Sequence, residues 1–186
     1  KFIILLPGRL TNWKGQIVFI EALNILNQQT YVKPFSAIIL GSDQGRNVYY
    51  KKLLSLVEKY RLTQIIKFIP LCKEMPLAYK LADVVVSASI EPETFGRVSV
   101  EAQSMEKPII ASEIGGSKET ILKNKSGLLF KSGDPISLAE KLKEILNLDE
   151  NATKLMGIEG RKNVLKKFDI EKMCNSTIAE YKKLIN

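Results

Sequence analysis

An α/β domain with a doubly wound parallel sheet is the fold class this sequence predicts. Three observations predict it. Six short apolar runs, rich in Ile and Val, recur along the 186 residues. Stretches with apolar residues at helical spacing separate them. The runs are apolar on successive residues rather than alternating, as strands buried on both faces of a parallel sheet are.

The first run, residues 2–6, ends at Pro7-Gly8. It is too short for the core of a signal peptide and reads as a buried strand. The sequence opens at Lys1, directly in that strand, and we expect it to have been cut from a longer chain. A helix is expected over residues 18–27 and a strand over 37–40. Leu53, Leu54 and Val57 share one face of a helix over residues 49–60. Strands follow at 65–69 and 84–87, a helix at 98–105, and strands at 108–111 and 127–130. Asp134-Pro135 is a helix start and predicts a helix over 138–146.

After Leu146 the alternation stops. Residues 151–167 and 169–185 read as two helices with no strand between them, joined near Phe168. This helical tail, residues 150–186, needs an apolar surface, either on this domain or on a neighbour. The whole of 1–186 is expected to be one domain, since domains run to about 100–200 residues. No linker, repeat or low-complexity segment divides it.

The composition is 45% hydrophobic and 26% charged, which excludes disorder and collagen-like structure. No apolar run approaches the roughly 18 residues a membrane span needs. The net charge is +8. It fits a Lys-rich solvated surface, and it also fits an anionic partner: nucleic acid, a membrane face or a phosphorylated ligand. The chain has no His, which removes the commonest general base and metal ligand. Cys72 and Cys174 have no metal or redox spacing and read as reduced thiols of a cytosolic protein.

In an open α/β sheet, ligands bind at the carboxyl ends of the strands. The first strand is followed by Pro7-Gly8-Arg9-Leu10-Thr11-Asn12-Trp13-Lys14-Gly15. Gly8 allows close backbone approach, Arg9 offers a fork of donors and Lys14 a point charge, a credible clamp for a diphosphate. The spacing is neither that of a P-loop nor that of the dinucleotide fingerprint. Gly41 follows the second strand, with Arg46 nearby, in what also reads as a simple turn. The fourth strand leads into Glu91-Pro92-Glu93-Thr94-Phe95-Gly96-Arg97-Val98-Ser99-Val100-Glu101. On one helix, Glu93 and Glu101 would lie about 80° apart and converge poorly. Pro92 and Phe95-Gly96 instead end a loop near Gly96, so that Glu93 on the loop and Glu101 on the helix can face one cleft. Glu91 reads as a solvated loop charge. Gly115-Gly116, after the fifth strand, permits close approach to a ligand.

Taken in order, these residues resemble a known family. Glu93 to Glu101, a Glu-x7-Glu enclosing Phe95-Gly96 and closed by Ala102, is similar to the signature of retaining glycosyltransferases of family 4, which have the GT-B architecture of two Rossmann-like domains. Gly8-Arg9 with Lys14-Gly15 resembles that family's Gly-Arg…Lys-Gly loop. Ala82-Asp83-Val84 with Ser87–Ser89 resembles its Ala-Asp-Val…Pro-Ser segment, with Ala88 in place of Pro. Lys107-Pro108-Ile109-Ile110-Ala111-Ser112, then Gly115-Gly116 and Glu119, and finally Ser126-Gly127-Leu128-Leu129 with Gly133-Asp134, complete the set.

The resemblance implies a Rossmann-like, nucleotide-sugar-binding C-terminal half, with the N-terminal acceptor domain of the same enzyme absent. It implies that Arg9 and Lys14 hold the donor diphosphate and that Glu101 binds the ribose hydroxyls. Glu93 would lie near the donor sugar, with Thr94 and the backbone of Phe95, Gly96, Arg97 and Val98 on sugar and phosphate. Gly8 and Gly41 would line the site, and the base would pack near Leu71. Arg9, Lys14 and Glu93 are the implied catalytic residues. The donor would be a UDP- or GDP-linked sugar used as a co-substrate. No Asp-x-Asp occurs, so no metal or other cofactor is expected. A cytoplasmic enzyme is implied, with possible peripheral contact at the inner membrane face, making lipopolysaccharide or another cell-envelope glycan or lipid-linked sugar. No nucleic acid partner is expected, and this half alone is expected to be inactive. The tail would cross back to the acceptor domain. Two alternatives remain open: a sugar-nucleotide epimerase on the same fold, and a non-catalytic module binding polyanions or a membrane.

Overall fold

Phe2–Pro7 forms β1, and its last four residues are buried, as an unbroken apolar run requires. A computed structural model describes residues 1–30, 32–45 and 47–185 of the chain. Arg46, the basic residue noted beside the second strand, lies outside the described residues. The other strands are β2 (Phe35–Leu40), β3 (Ile66–Ile69), β4 (Val84–Ser87), β5 (Ile109–Ser112) and β6 (Gly127–Phe130). They make one sheet in the order β3-β2-β1-β4-β5-β6. Every pairing is parallel. This is a Rossmann-like α/β fold, and the strand order reverses between β1 and β4. Their paired register is short, Ile4 opposite Val84 and Leu5 opposite Val85, and such a reversal is where a doubly wound sheet forms a ligand crevice.

Each face of the sheet carries its own core. Ile4, Leu6, Ile39, Val84 and Val86 point to one side, against α1 (Gln16–Asn27) and α6 (Pro135–Asn147). Leu5, Leu40, Val85, Ile109 and Ala111 point to the other, against α3 (Met75–Leu81) and α4 (Arg97–Ser104). Successive residues of one strand thus serve both cores, which is why the runs do not alternate. α2 (Asn47–Lys59) buries Leu53 and Val57 of the three residues expected on its inner face, while Leu54 is only partly buried.

Two short helices depart from the expectation. Sequence periodicity predicts no full helix at α3 or at α5 (Ser117–Thr120). At seven and four residues they hold too few turns to write a periodic pattern. α6 begins at Pro135, three residues before the expected start, because the Asp134 side chain accepts hydrogen bonds from the Ile136 and Ser137 amides.

The tail divides in two. α7 (Glu150–Lys167) lies on α4, with Gly157 and Gly160 buried at the contact. Asn163 Nδ2 donates to the Thr120 carbonyl at 3.0 Å, pinning the end of α7 to the domain. α8 (Ile170–Ile185) buries no residue. Met173, Ile178, Tyr181 and Leu184 form an exposed stripe along it. The surface that the tail requires is therefore found for α7 on this domain, and among the described residues none covers α8.

Candidate functional site

A cavity of about 480 Å³ opens at the carboxyl ends of β1 to β4, over the point where the strand order reverses. Gly8, Arg9, Lys14, Gly41, Leu71, Glu93, Arg97, Val98 and Glu101 all line it. Nine residues singled out from the sequence thus converge on one cleft. A larger cavity, about 730 Å³, lies at the opposite edge beside Phe2, Asp83 and Pro108. The reversal of a doubly wound sheet favours the smaller one as the ligand site.

The loop after β1 is pressed against the loop after β4. Residues Asn12–Lys14 make a single 3-10 turn. Gly15 then turns at φ +71°, where a Cβ would stand 1.8 Å from the Ala88 carbonyl oxygen. Only glycine lets the two loops meet so closely. The Ile90 amide donates to the Trp13 carbonyl at 2.8 Å and ties them together.

This contact sets Lys14 Nζ at 2.8 Å from Glu93 Oε1. The Ser89 hydroxyl donates to the same carboxylate oxygen. Lys14 Nζ also sits 4.4 Å from the centroid of the Trp13 ring. The exposed Arg9 guanidinium stands 5.9 Å from that ring. One indole ring thus lies within cation–π reach of two cations lining the cleft.

Glu93 is held from behind. The Gly116 amide donates to the Glu93 carbonyl at 2.8 Å. A Cβ on Gly116 would fall 2.5 Å from the Phe95 carbonyl oxygen. The expectation that Gly115-Gly116 approaches a ligand is therefore corrected: the pair approaches the backbone of the Glu93 loop, and supports the site rather than lining it.

Glu101 lies on the second turn of α4. The Tyr79 hydroxyl of α3 donates to Glu101 Oε2 at 2.6 Å. Burial, and then the Glu101 carboxylate, push the Tyr79 phenol well above its ordinary range, so the group is a neutral donor. Gly41 lines the cleft, but its missing Cβ is explained by the Gly8 carbonyl oxygen, which a Cβ would meet at 1.9 Å. Leu71 is exposed at the rim, beside Pro70 and the partly buried Cys72.

Three expected residues do not line the cavity. Thr94 faces solvent. The Phe95 ring turns to Phe168 at the α7–α8 joint, 5.6 Å between centroids. Gly96 is the left-handed cap that starts α4. Glu91 is exposed, as a solvated loop charge should be. The sequence reading gave no role to Trp13, Ser89 or Tyr79. Trp13 is the one Trp of the chain and lies in the first loop, which is a usable signal. Tyr79 has none, because its helix carries no pattern.

Among the described residues no cluster of three or more His, Cys, Asp or Glu side chains could hold a metal ion. Among them, too, no helix is long and apolar enough to cross a membrane.

Comparison with known proteins adds to this geometry. Residues 1–163 match the family model described as glycosyl transferases group 1. The chain is 32% identical over 148 residues to a D-inositol 3-phosphate glycosyltransferase of Corynebacterium urealyticum, covering 77% of this chain and 34% of that protein. It is 26% identical over 186 residues to the capsular polysaccharide biosynthesis glycosyltransferase CapM of Staphylococcus aureus, covering 96% of this chain and 47% of that one. Among solved structures it is similar to HepE of Anabaena in complex with UDP and glucose, with a TM-score of 0.88 and 29% identity over 98% of this chain and 48% of that one. The chain spans less than half the length of each of these relatives.

Proposed function

The chain belongs to the glycosyl transferases group 1, and from that premise we propose that it is the donor-binding, C-terminal half of a retaining, family 4 glycosyltransferase. It binds a nucleoside diphosphate sugar in the cleft over β1 and β4. The observation that carries this reading is the meeting of Lys14, Glu93 and Glu101 in that one cleft. Arg9 and Lys14 offer charge for a diphosphate, and Glu101 offers lone pairs for a ribose diol. Glu93 stands where a sugar on the diphosphate would reach.

The chemistry follows from these positions. As the bond from sugar to phosphate breaks, negative charge grows on the leaving diphosphate. Cations already held in place stabilise that charge without reorganising, which is electrostatic catalysis. Lys14 is such a cation, because Glu93 and Trp13 fix its ammonium. Lys14 and Glu93, joined at 2.8 Å, thus link the leaving group to the sugar, so donor recognition and departure share one element. With Arg9 and Lys14 in this role, no metal is needed at the diphosphate.

The rest of the reading concerns the whole enzyme. The exposed stripe of α8 suits an acceptor domain preceding this one, and this half alone does not turn over. The acceptor is a cell-envelope glycan or lipid-linked sugar, reached from the cytoplasmic face of a membrane. Relatives with names as different as inositol phosphate and capsular polysaccharide are similar over this half, which supports assigning the choice of acceptor to the other half.

Calorimetric titration with UDP, GDP, ADP and their 2′-deoxy forms, in chelator, tests the donor site. Saturable binding of one ribonucleoside diphosphate, weaker in its deoxy form, is expected. Binding to none of them, with salt-sensitive binding to heparin instead, would replace the reading with a polyanion-binding module.

A further inference from the structure

We infer that Tyr79 is a positioning residue, one that turns Glu101 into an oriented receptor for a vicinal diol and so sets the discrimination between ribo- and 2′-deoxyribonucleotides. The inference rests on the donor-site reading above.

The argument begins with Glu101 itself. A glutamate on the second turn of a helix has three rotatable bonds, and at the edge of a wet cleft it samples several rotamers. A carboxylate that wanders accepts from one hydroxyl at a time. To accept from two adjacent hydroxyls together it must be held in one plane, and Tyr79 holds it. The Tyr79 side chain is 2% exposed. Its ring belongs to the apolar cluster that includes Leu5, Leu40, Val85 and Ala102, so the ring cannot swing without opening that core. Only the hydroxyl reaches the cleft, where it donates to Glu101 Oε2 at 2.6 Å. A phenol has one proton to give, and here it is given to Glu101. A carboxylate has about four lone-pair sites, so most of its accepting capacity stays open after this bond.

The contact also joins two helices. Tyr79 is on α3, which follows β3, and Glu101 is on α4, which follows β4. The hydroxyl therefore fixes the carboxylate relative to the rim where Leu71 and Cys72 stand, and not merely relative to its own helix. A base packed on that rim and a ribose on Glu101 would keep a constant separation. A simpler account holds that the buried hydroxyl needs an acceptor and that Glu101 supplies one. The two accounts part on selectivity. A merely structural bond, once lost, lowers all affinities alike. An orienting bond, once lost, lowers only the affinity that depends on two hydroxyls.

The test is titration of the protein, its Tyr79→Phe, Glu101→Ala and double variants, with UDP, 2′-deoxy-UDP, GDP and 2′-deoxy-GDP. Tyr79→Phe keeps the ring and its packing, and thermal melting checks that the fold is retained. We expect the ribo form of the preferred nucleotide to bind about tenfold or more tightly than its deoxy form in the unmodified protein. Tyr79→Phe should cut that preference several-fold while leaving the deoxy affinity within about twofold. In the Glu101→Ala background it should change nothing further. If Tyr79→Phe keeps the full preference, or weakens ribo and deoxy forms equally, the inference is overturned and the donor site stands. If the unmodified protein binds no nucleotide, or binds without preference for the ribo form, the role given to Glu101 fails and the inference fails with it.

Discussion

Lys14 and Glu93, 79 residues apart in sequence, meet at 2.8 Å across the carboxyl ends of β1 and β4. Their side chains are only 14% and 18% exposed. The pair spans the point where the sheet reverses and lines the cleft there. A pair this shielded is costly to break from one side, because the survivor is left as a partly buried, unmatched charge. Each partner therefore sets the electrostatic state of the other.

The first prediction separates the two carboxylates. Glu93→Ala should leave UDP binding largely unchanged, while weakening the sugar-bearing UDP-glucose where these two serve as the probe ligands. Glu101→Ala should weaken UDP and UDP-glucose together by about one decade, the loss of hydrogen bonds to a charged acceptor. Calorimetry with both ligands decides it. Equal losses on free UDP from both substitutions would show that the pair is misassigned.

The second concerns the cations. A charge-assisted hydrogen bond is worth about 1.5–3 kcal/mol, so Lys14→Ala should cost the intact enzyme about one to two decades in kcat. Arg9 is exposed and screened, and its removal belongs at the lower end of that range. Arg9→Ala should weaken UDP far more than uridine. The same loss on uridine would remove Arg9 from the phosphate.

How much of this was legible in the sequence follows from chain geometry. The strands announce themselves because burial on both faces demands consecutive apolar residues, as in Phe2-Ile3-Ile4-Leu5-Leu6. The strand ends then direct attention to Gly8, Arg9, Lys14, Glu93 and Glu101, which the cleft brings together. What could not be read is contact between elements. Gly115-Gly116 looks the same in a sequence whether it faces a ligand or the back of the Glu93 loop. Tyr79 is one aromatic in a helix of seven residues, too short to show a face. Phe95, inside the most informative motif, turns to Phe168, a partner set only by where α7 ends.

The third prediction tests how the tail holds the site. A Cβ on Gly157 of α7 would lie 2.0 Å from the Glu106 carbonyl oxygen, at the end of α4. Backbone cannot yield as a flexible side chain does, so Gly157→Ala must push α7 off α4. Overpacking of this kind costs about 1–3 kcal/mol. Urea unfolding should show a lower midpoint with an unchanged slope. An unchanged midpoint would mean that the two helices are not tightly joined.

The fourth follows from two tyrosines, Tyr79 buried and Tyr49 partly buried. Burial pushes Tyr49 up to about 12, and pushes Tyr79 higher still with help from the Glu101 carboxylate. In the unfolded chain both titrate near the ordinary value of 10. Below that pH the folded and unfolded states hold the same protons, and the full stability is present. Above it the unfolded state loses its phenol protons first, and stability falls until the folded groups titrate in turn. For Tyr49 this window runs from 10 to about 12, and for Tyr79 it extends further. A raised phenol costs at most about 1.4 kcal/mol of stability per pH unit across its window, and the partly buried, water-screened Tyr49 costs less. Urea midpoints measured from about pH 8 to pH 11 should therefore decline above 10, and Tyr79→Phe should make the decline shallower. Parallel curves for the two proteins would mean that neither burial nor the Glu101 carboxylate holds the Tyr79 phenol protonated beyond its ordinary range.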